Sequence, residues 1–393
     1  MAYYDITSAF QEIEMELLSS MSKNLRRHLG EEQAANFNWS MWQAEQLKSL
    51  ELFRKENQKL FNNRFIDLNN DIDSMISTQY KNAYFNEEKE ILKAIKNGFI
   101  AYTQPLITKT PEFFKFDNRK LLALLNETKG TFKDAEIAML RKVDDMYRKI
   151  IFNAQVAYAT GSMTTYQCID IAMKDYISNG ITCISYKNGN SVSLASYAEM
   201  ALRTANTRAT LIAQAEKRDE WGINTVIVNT RTTACPLCMR YIGKVYIDDV
   251  YSNNVNLNGN YPLLSSAIKG GLYHPNCRDT HSTYFEGITT IPKPLTLQEQ
   301  KDIAHHYNLE KQQRYNERKI REYKRLEQTA LDKNDIDKYH KKVVEWQNKN
   351  KEFVEDNNLR RNYQREKLRT PDNYSTNRQA QALNMLLGAS YQS

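Results

Sequence analysis

The residues of this 393-residue chain best equipped for chemistry lie in two short stretches, TTACPLCMRYIGKVY at 232–246 and GGLYHPNCRDTH at 270–281. Together they hold three of the five cysteines and two of the six histidines. Cys235 and Cys238 form a C-x-x-C pair whose sulfurs converge across a tight turn that Pro236 helps to hold. His274 and Cys277 form an H-x-x-C pair with the same bite, giving C-x2-C-x35-H-x2-C overall. Zinc favours a tetrahedron of nitrogen and sulfur ligands, so the expected set is Cys235, Cys238, His274 and Cys277, with His281 as the alternative fourth ligand. Two rival readings stand beside it. The cysteines could be ordinary reduced thiols, as expected of Cys168 and Cys183, or a redox pair, for which the usual strand-to-helix context is missing.

A catalytic zinc keeps one coordination position open and has a Glu or His nearby to move protons. Here protein can fill all four positions, and the segment between Cys238 and His274 contains no His and no Glu, only the acids Asp248 and Asp249. The expected role is therefore structural, and no catalytic residue is assigned. An HNH-like nuclease, which also frames its site with C-x-x-C pairs, needs a catalytic His in the interval that lacks one. Arg278 has a planar guanidinium suited to clamping phosphate or carboxylate, and equally suited to pinning a loop carbonyl.

A second candidate surface is the basic run Arg314, Arg318, Lys319, Arg321, Lys324 and Arg325, interspersed with Tyr315 and Tyr323. Such charge suffices to bind phosphates by counterion release. The interleaved Glu317, Glu322 and Glu327 point instead to a solvated helix with i,i+4 pairs, so nucleic acid or a protein partner is a weak expectation for this run.

The elements that must position these groups are mainly helical. In DITSAFQEIEMELLSSMSKNL, Ile6, Phe10, Ile13, Leu17 and Leu18 share one helix face, with Asp5 and Thr7 as N-cap candidates. Further helices are expected over 41–62, 66–96 and 132–159, with breaks at Gly98, Pro105, Pro111 and Gly130. ITCISYKNGNSVSL reads as two strands and a turn, Ser196 and Glu199 as a capping box, the following run as a helix ending at Gly222, and INTVIVNT as a strand leading to Cys235. Residues 256–266 are expected as a displayed loop. After Pro292 and Pro294 come two charged helices broken near 331–335, the second with Ile336, Tyr339, Val343, Trp346 and Phe353 on one stripe. The fold class is mainly α with a small α+β domain. A helical N-terminal region covers 1–160, a zinc-stapled α+β domain 161–290, a charged helical hairpin 291–370 and a polar tail 371–393.

Only 41% of residues are hydrophobic and the mean hydropathy is -0.68, which suits solvated helices better than one large globule. Residues 291–393 hold 21 Lys and Arg against 15 Asp and Glu, so +6 of the net +7 lies in the last quarter. That fits a nucleic acid or an acidic protein surface. The start MAYYDITSAF has neither a basic nor an apolar secretory region, so a reducing cytosol is expected, with no disulfide framework and no membrane requirement.

The ordered blocks NGITCISYKNGNSVSLASYAEMALRT, CPLCMRYIGKVY, YPLLSSAIKGGLYHPNCRDTHSTYFEG and QQRYNERKIREYKRL resemble the phage minor capsid proteins of the second type, over about residues 150–370. These are distant relatives of head morphogenesis proteins of the Mu F kind. The resemblance implies a non-enzymatic structural protein of a tailed-phage head, made in the host cytoplasm and carried in the virion. It further implies association with the portal vertex, several copies around the portal, portal or major capsid protein as partners, and possible contact with packaged DNA. Where family members often continue N-C-R-H, this chain has Asn276-Cys277-Arg278-Asp279, which leaves the histidine's role to Asp279 or His281, or to neither. The other reading is a zinc-stabilised nucleic-acid-binding protein or HNH-like nuclease.

Overall fold

The computed structural model describes residues 8–22, 39–103, 118–159, 170–171, 173–174, 177–178, 180–185, 191–232, 234–253, 260–274, 277–330 and 333–368. The described chain is mainly helical with a small sheet. Its elements are α1 (8–22), α2 (Trp39–Lys96), α3 (Asn118–Ala159), β1 (Thr182–Ser185), β2 (Ser191–Ser193), α4 (Leu194–Glu220), β3 (Thr225–Val228), β4 (Val245–Ile247), α5 (Leu264–Lys269), β5 (His281–Thr283), α6 (Leu297–Thr329), α7 (Lys333–Asp356) and α8 (Tyr363–Glu366). No helix among the described residues is long and apolar enough to cross a membrane.

Contacts divide the chain into two interleaved units. One comprises residues 1–71, 131–199 and 312–393, the other 72–130 and 200–311. In the first, α1 buries Phe10, Ile13, Leu17 and Leu18 completely, as their spacing predicts, and Phe10 stacks on Phe132 with ring centroids 5.4 Å apart. Ile6, Asp5 and Thr7 lie outside the described residues. In this unit α6 from residue 312 onward and α7 form the expected hairpin; α6 ends at Thr329 and α7 opens at Lys333, so 333–335 are helical rather than part of the expected break, and 331–332 lie outside the described residues. Tyr315 meets Trp346 edge to face at 5.9 Å, and Tyr339, Val343 and Val354 are buried while Ile336 is exposed.

Two helix expectations need correction. α2 runs unbroken through 63–65, because Phe61, Phe65 and Leu68 continue one buried face and no breaker intervenes. α3 begins at Asn118, and Gly130 sits inside it rather than ending it. β1 and β2 pair antiparallel as expected. α4 starts earlier than Ser196: the Ser193 hydroxyl accepts from the Ser196 N–H at 3.4 Å, so Ser193 is the cap.

The second unit carries the cysteine cluster. α4 ends in a Schellman turn, with Ile223 N–H donating to Arg218 O and Gly222 N–H to Asp219 O, and Gly222 takes the left-handed φ of 67° that the turn requires. The turn feeds β3, the centre of an antiparallel sheet ordered β4-β3-β5. Val226 and Val228 face one cluster, with Tyr246, Leu264, Ala267 and Leu272, while Ile227 faces another with Val245 and Tyr284. That two-sided burial explains the unbroken apolar run Val226–Val228. The expected loop 256–266 is corrected at its end, since Leu264 opens helix α5 and is fully buried; 254–259 lie outside the described residues.

Candidate metal centre

Antiparallel neighbours bring the exit of one strand beside the entrance of the other. β3 pairs with β5 so that Val228 faces His281, and Asn229 extends the ladder by donating its N–H to Thr280 O at 2.9 Å. The chain leaving Val228 toward Cys235 therefore runs at the same end of the sheet as the chain entering His281 from Cys277. This is why two ligand pairs 35 residues apart in sequence meet.

Each pair is a hydrogen-bonded turn. Cys238 N–H donates to Cys235 O at 3.1 Å, followed by a 3-10 turn at Met239–Tyr241, and Cys277 N–H donates to His274 O at 2.8 Å. The second turn is delivered by α5, which ends in its own Schellman geometry: Leu272 N–H donates to Ala267 O and Gly271 N–H to Ile268 O, with φ of 112° at Gly271. Leu272 is thereby returned to the core and His274 is directed at Cys235. Both Cys235 and Cys238 are buried in the cluster around Val226 and Val228.

Cys235 Sγ lies 2.9 Å from His274 Nε2, and Cys238 Sγ 3.4 Å from Cys277 Sγ. Donor atoms of Cys235, Cys238 and His274 all lie within 4.8 Å of one another, as do those of Cys238, Cys277 and Asp279. Ligands about 2.0–2.3 Å from one ion can be separated by no more than about 4.6 Å, so both groups are close to the size of a metal shell. The Cys238–Cys277 contact pushes the Cys238 thiol well above its ordinary value and lowers that of Cys277, because a proton shared between two sulfurs is held by one of them. Three sulfurs and an imidazole nitrogen fit a borderline-soft dication such as zinc.

His281 is in neither group. Its Nδ1 is 2.8 Å from the Tyr273 hydroxyl, its ring lies against Tyr251 and Tyr273, and burial, aided by Arg218, pushes its pKa down to about 3. Asp279, by contrast, sits against the cluster: its Oδ2 is 3.4 Å from Cys277 Sγ, and its backbone N–H donates to the same sulfur at 3.4 Å. Spacing offered no signal for Asp279. Cys168 and the side chain of Cys183 lie outside the described residues.

Beneath the cluster is a buried polar network that the sequence did not announce. Arg218 Nη2 donates to Asp248 Oδ2 at 2.6 Å, both side chains fully enclosed, and Arg218 Nη1 donates to the Thr283 hydroxyl at 3.3 Å. Thr283 in turn donates to Glu87, whose carboxyl burial pushes up. Asp248 Oδ1 accepts the N–H groups of Val250 and Tyr251, so the acid singled out in the sequence is committed to holding the chain beyond β4.

Arg278 pairs with Glu310 at 3.6 Å. In the basic run, Arg321 donates to Arg365 O, Lys324 to Glu366 O at 2.8 Å, and Arg325 to Ile177 O and Ser178 O at 3.1 Å each. Lys319 pairs with Glu322 at 2.7 Å, and Arg318 lies over the Tyr315 ring at 5.9 Å. Arg314 is half-buried.

The described chain is mainly helical, with a small sheet that gathers the cysteine and histidine turns at one end. The chain belongs to the family described as Phage minor capsid protein 2, which it matches over residues 2–355. The match reaches much further toward the N-terminus than the blocks at 150–370, so α1 to α3 fall within the matched region. No curated protein and no solved structure matches the chain. Family membership makes it a structural phage protein associated with the capsid of the virion.

Proposed function

We propose that the chain is a non-enzymatic component of the phage head that sits at the portal vertex, in several copies, and serves head assembly or DNA delivery. Its partners are then the portal protein, the major capsid protein or both, with packaged DNA within reach. Within it, Cys235, Cys238, His274 and Cys277 hold one structural zinc ion that staples the chain after β3 to the chain before β5.

The observation that carries this reading is the meeting of the two ligand pairs inside the hydrophobic cluster of Val226, Val228, Leu264 and Leu272, in a chain of the minor capsid family. When bound, zinc supplies a cross-link between two turns, which suits a small sheet whose strands have only three or four residues. A structural role is also supported by Asp248, whose carboxylate is fully enclosed in its ion pair with Arg218. The intramolecular bonds of Arg321, Lys324 and Arg325 favour a protein-docking role for the C-terminal helices over a phosphate-binding one.

The test is a pull-down of the purified chain with the portal and major capsid proteins of the same phage. Retention on the portal protein is expected. Binding to the major capsid protein alone would move the chain away from the portal, and binding to neither would overturn the reading.

A further inference from the structure

We infer that Tyr273 and His281 are a positioning pair for the metal centre: the buried imidazole anchors the tyrosine ring, and the tyrosine's backbone aims His274 at Cys235 and Cys238. This rests on the metal reading above, taken for the donor atoms of Cys235, Cys238 and His274, which all lie within 4.8 Å of one another.

Tyr273 has a φ of 57°, and among the described residues only Asn358, at 50°, joins it as a non-glycine in the left-handed region. Asparagine enters that region with the help of its short polar side chain, whereas a bulky aromatic residue there crowds its Cβ against the backbone. Such a conformation persists only where the surroundings over-determine it. For Tyr273 they do so through the ring, which packs on the cluster of Val226, Val228 and Leu272. Its hydroxyl is hydrogen-bonded to His281 Nδ1 at 2.8 Å, and the two ring centroids are 5.9 Å apart. His281 serves as an anchor because it is itself fixed: it sits in β5 opposite Val228, is 2% exposed, and lies against the Tyr251 ring at 5.8 Å. Tyr251 is held in turn by Asp248, which accepts its N–H at 2.9 Å and is paired with Arg218.

The consequence falls on the next residue. The backbone of Tyr273 leads directly into His274, whose Nε2 arrives 2.9 Å from Cys235 Sγ. Both ends of this lever rest on one sheet, because β3 leads on toward Cys235 and its neighbour β5 holds His281. Without the anchor, Tyr273 relaxes toward negative φ and His274 swings away from the two sulfurs. His281, which spacing offers as a fourth ligand, lies in neither donor group and acts through Tyr273 instead.

Zn²⁺ affinity of the full-length protein, measured by chelator competition, tests the assignment. Tyr273→Phe keeps the ring in the core and removes only the hydroxyl, so it is the variant least able to disturb folding. Tyr273→Phe and His281→Phe should each weaken Zn²⁺ binding by about tenfold or more. The double variant should lose no more than the weaker single one, because the two side chains act as a unit. In a His274→Ala background, Tyr273→Phe should leave the residual affinity unchanged, since the hydroxyl then has no ligand to position. Wild-type affinity in Tyr273→Phe would overturn the inference, and so would an equal loss with His274 absent, which would trace the effect to the fold at large. If His281→Phe loses the metal as fully as His274→Ala while Tyr273→Phe retains it, His281 is itself a ligand and the positioning role is wrong. If wild type binds no zinc, the metal reading itself fails and the inference with it.

Discussion

At the residue scale, the centre depends on groups that sequence spacing names and on groups it does not. The meeting of Cys235 with His274 and of Cys238 with Cys277 was legible because paired Cys and His residues at two-residue spacing are a local signal. Arg218 and Asp248 were not, since an ion pair 30 residues apart leaves no pattern in either helix or loop. Both side chains are fully enclosed, so Asp248→Asn leaves a buried guanidinium without its counter-charge; it should cost about 3–5 kcal/mol, read from denaturant midpoints. A cost under about 1 kcal/mol would show the pair to be dispensable. Glu317 gives a pH signature in the other unit. Burial raises its carboxyl from 4.5 to about 7, against the opposing pull of Arg365 and Arg321. The folded state therefore binds more protons than the unfolded one between these values, so this group's contribution falls as pH rises through that window. Glu317→Gln should remove that part of the pH dependence and gain stability relative to wild type on going from about pH 5 to about pH 8, by on the order of 1–3 kcal/mol. Parallel stability–pH curves for the two proteins would contradict it.

At the element scale, helices were read more completely than strands. Periodicity identified α1, the α6–α7 hairpin and β3, because each carries an apolar pattern along its own sequence. β5 was missed: His281–Thr283 has three residues and no strand-like pattern, and it exists because β3 offers it an edge. Glycines misled in one place, Gly130, and guided in another, Gly222 at the end of α4. Gly130 was read as a break, yet α3 passes through it, and a Cβ there would meet nothing within 4 Å. Gly130→Ala should therefore stabilise the protein by about 0.5–1 kcal/mol in thermal or chemical unfolding. Gly271, at φ of 112°, closes α5 and aims the following residues at Cys235 and Cys238. Gly271→Ala should destabilise by about 1–2 kcal/mol and loosen metal retention, because the strain falls on the turn that carries His274. Unchanged stability in that variant would mean the turn has another way to close.

At the scale of the whole molecule, the contact units are interleaved along the chain, and that could not be seen by reading composition in order. Each unit draws on separated segments whose pairing becomes visible only through contacts such as Phe10 on Phe132, or Arg325 on the carbonyls of residues 177 and 178. The basic character of the last quarter was real in sequence, but several of its cations close contacts within their own unit, so net charge overstated what is free to meet a partner. Family membership over residues 2–355 ties these parts into one structural phage protein.

The central claim is that a zinc ion held by the cysteine and histidine turns fastens the small sheet. Metal analysis of the purified full-length protein, combined with thermal melting before and after a chelator, tests it most directly. The account predicts close to one zinc per chain and a lower Tm once the metal is removed, with recovery on adding zinc back. A metal-free protein, or one whose Tm is indifferent to stripping and reloading, would contradict it.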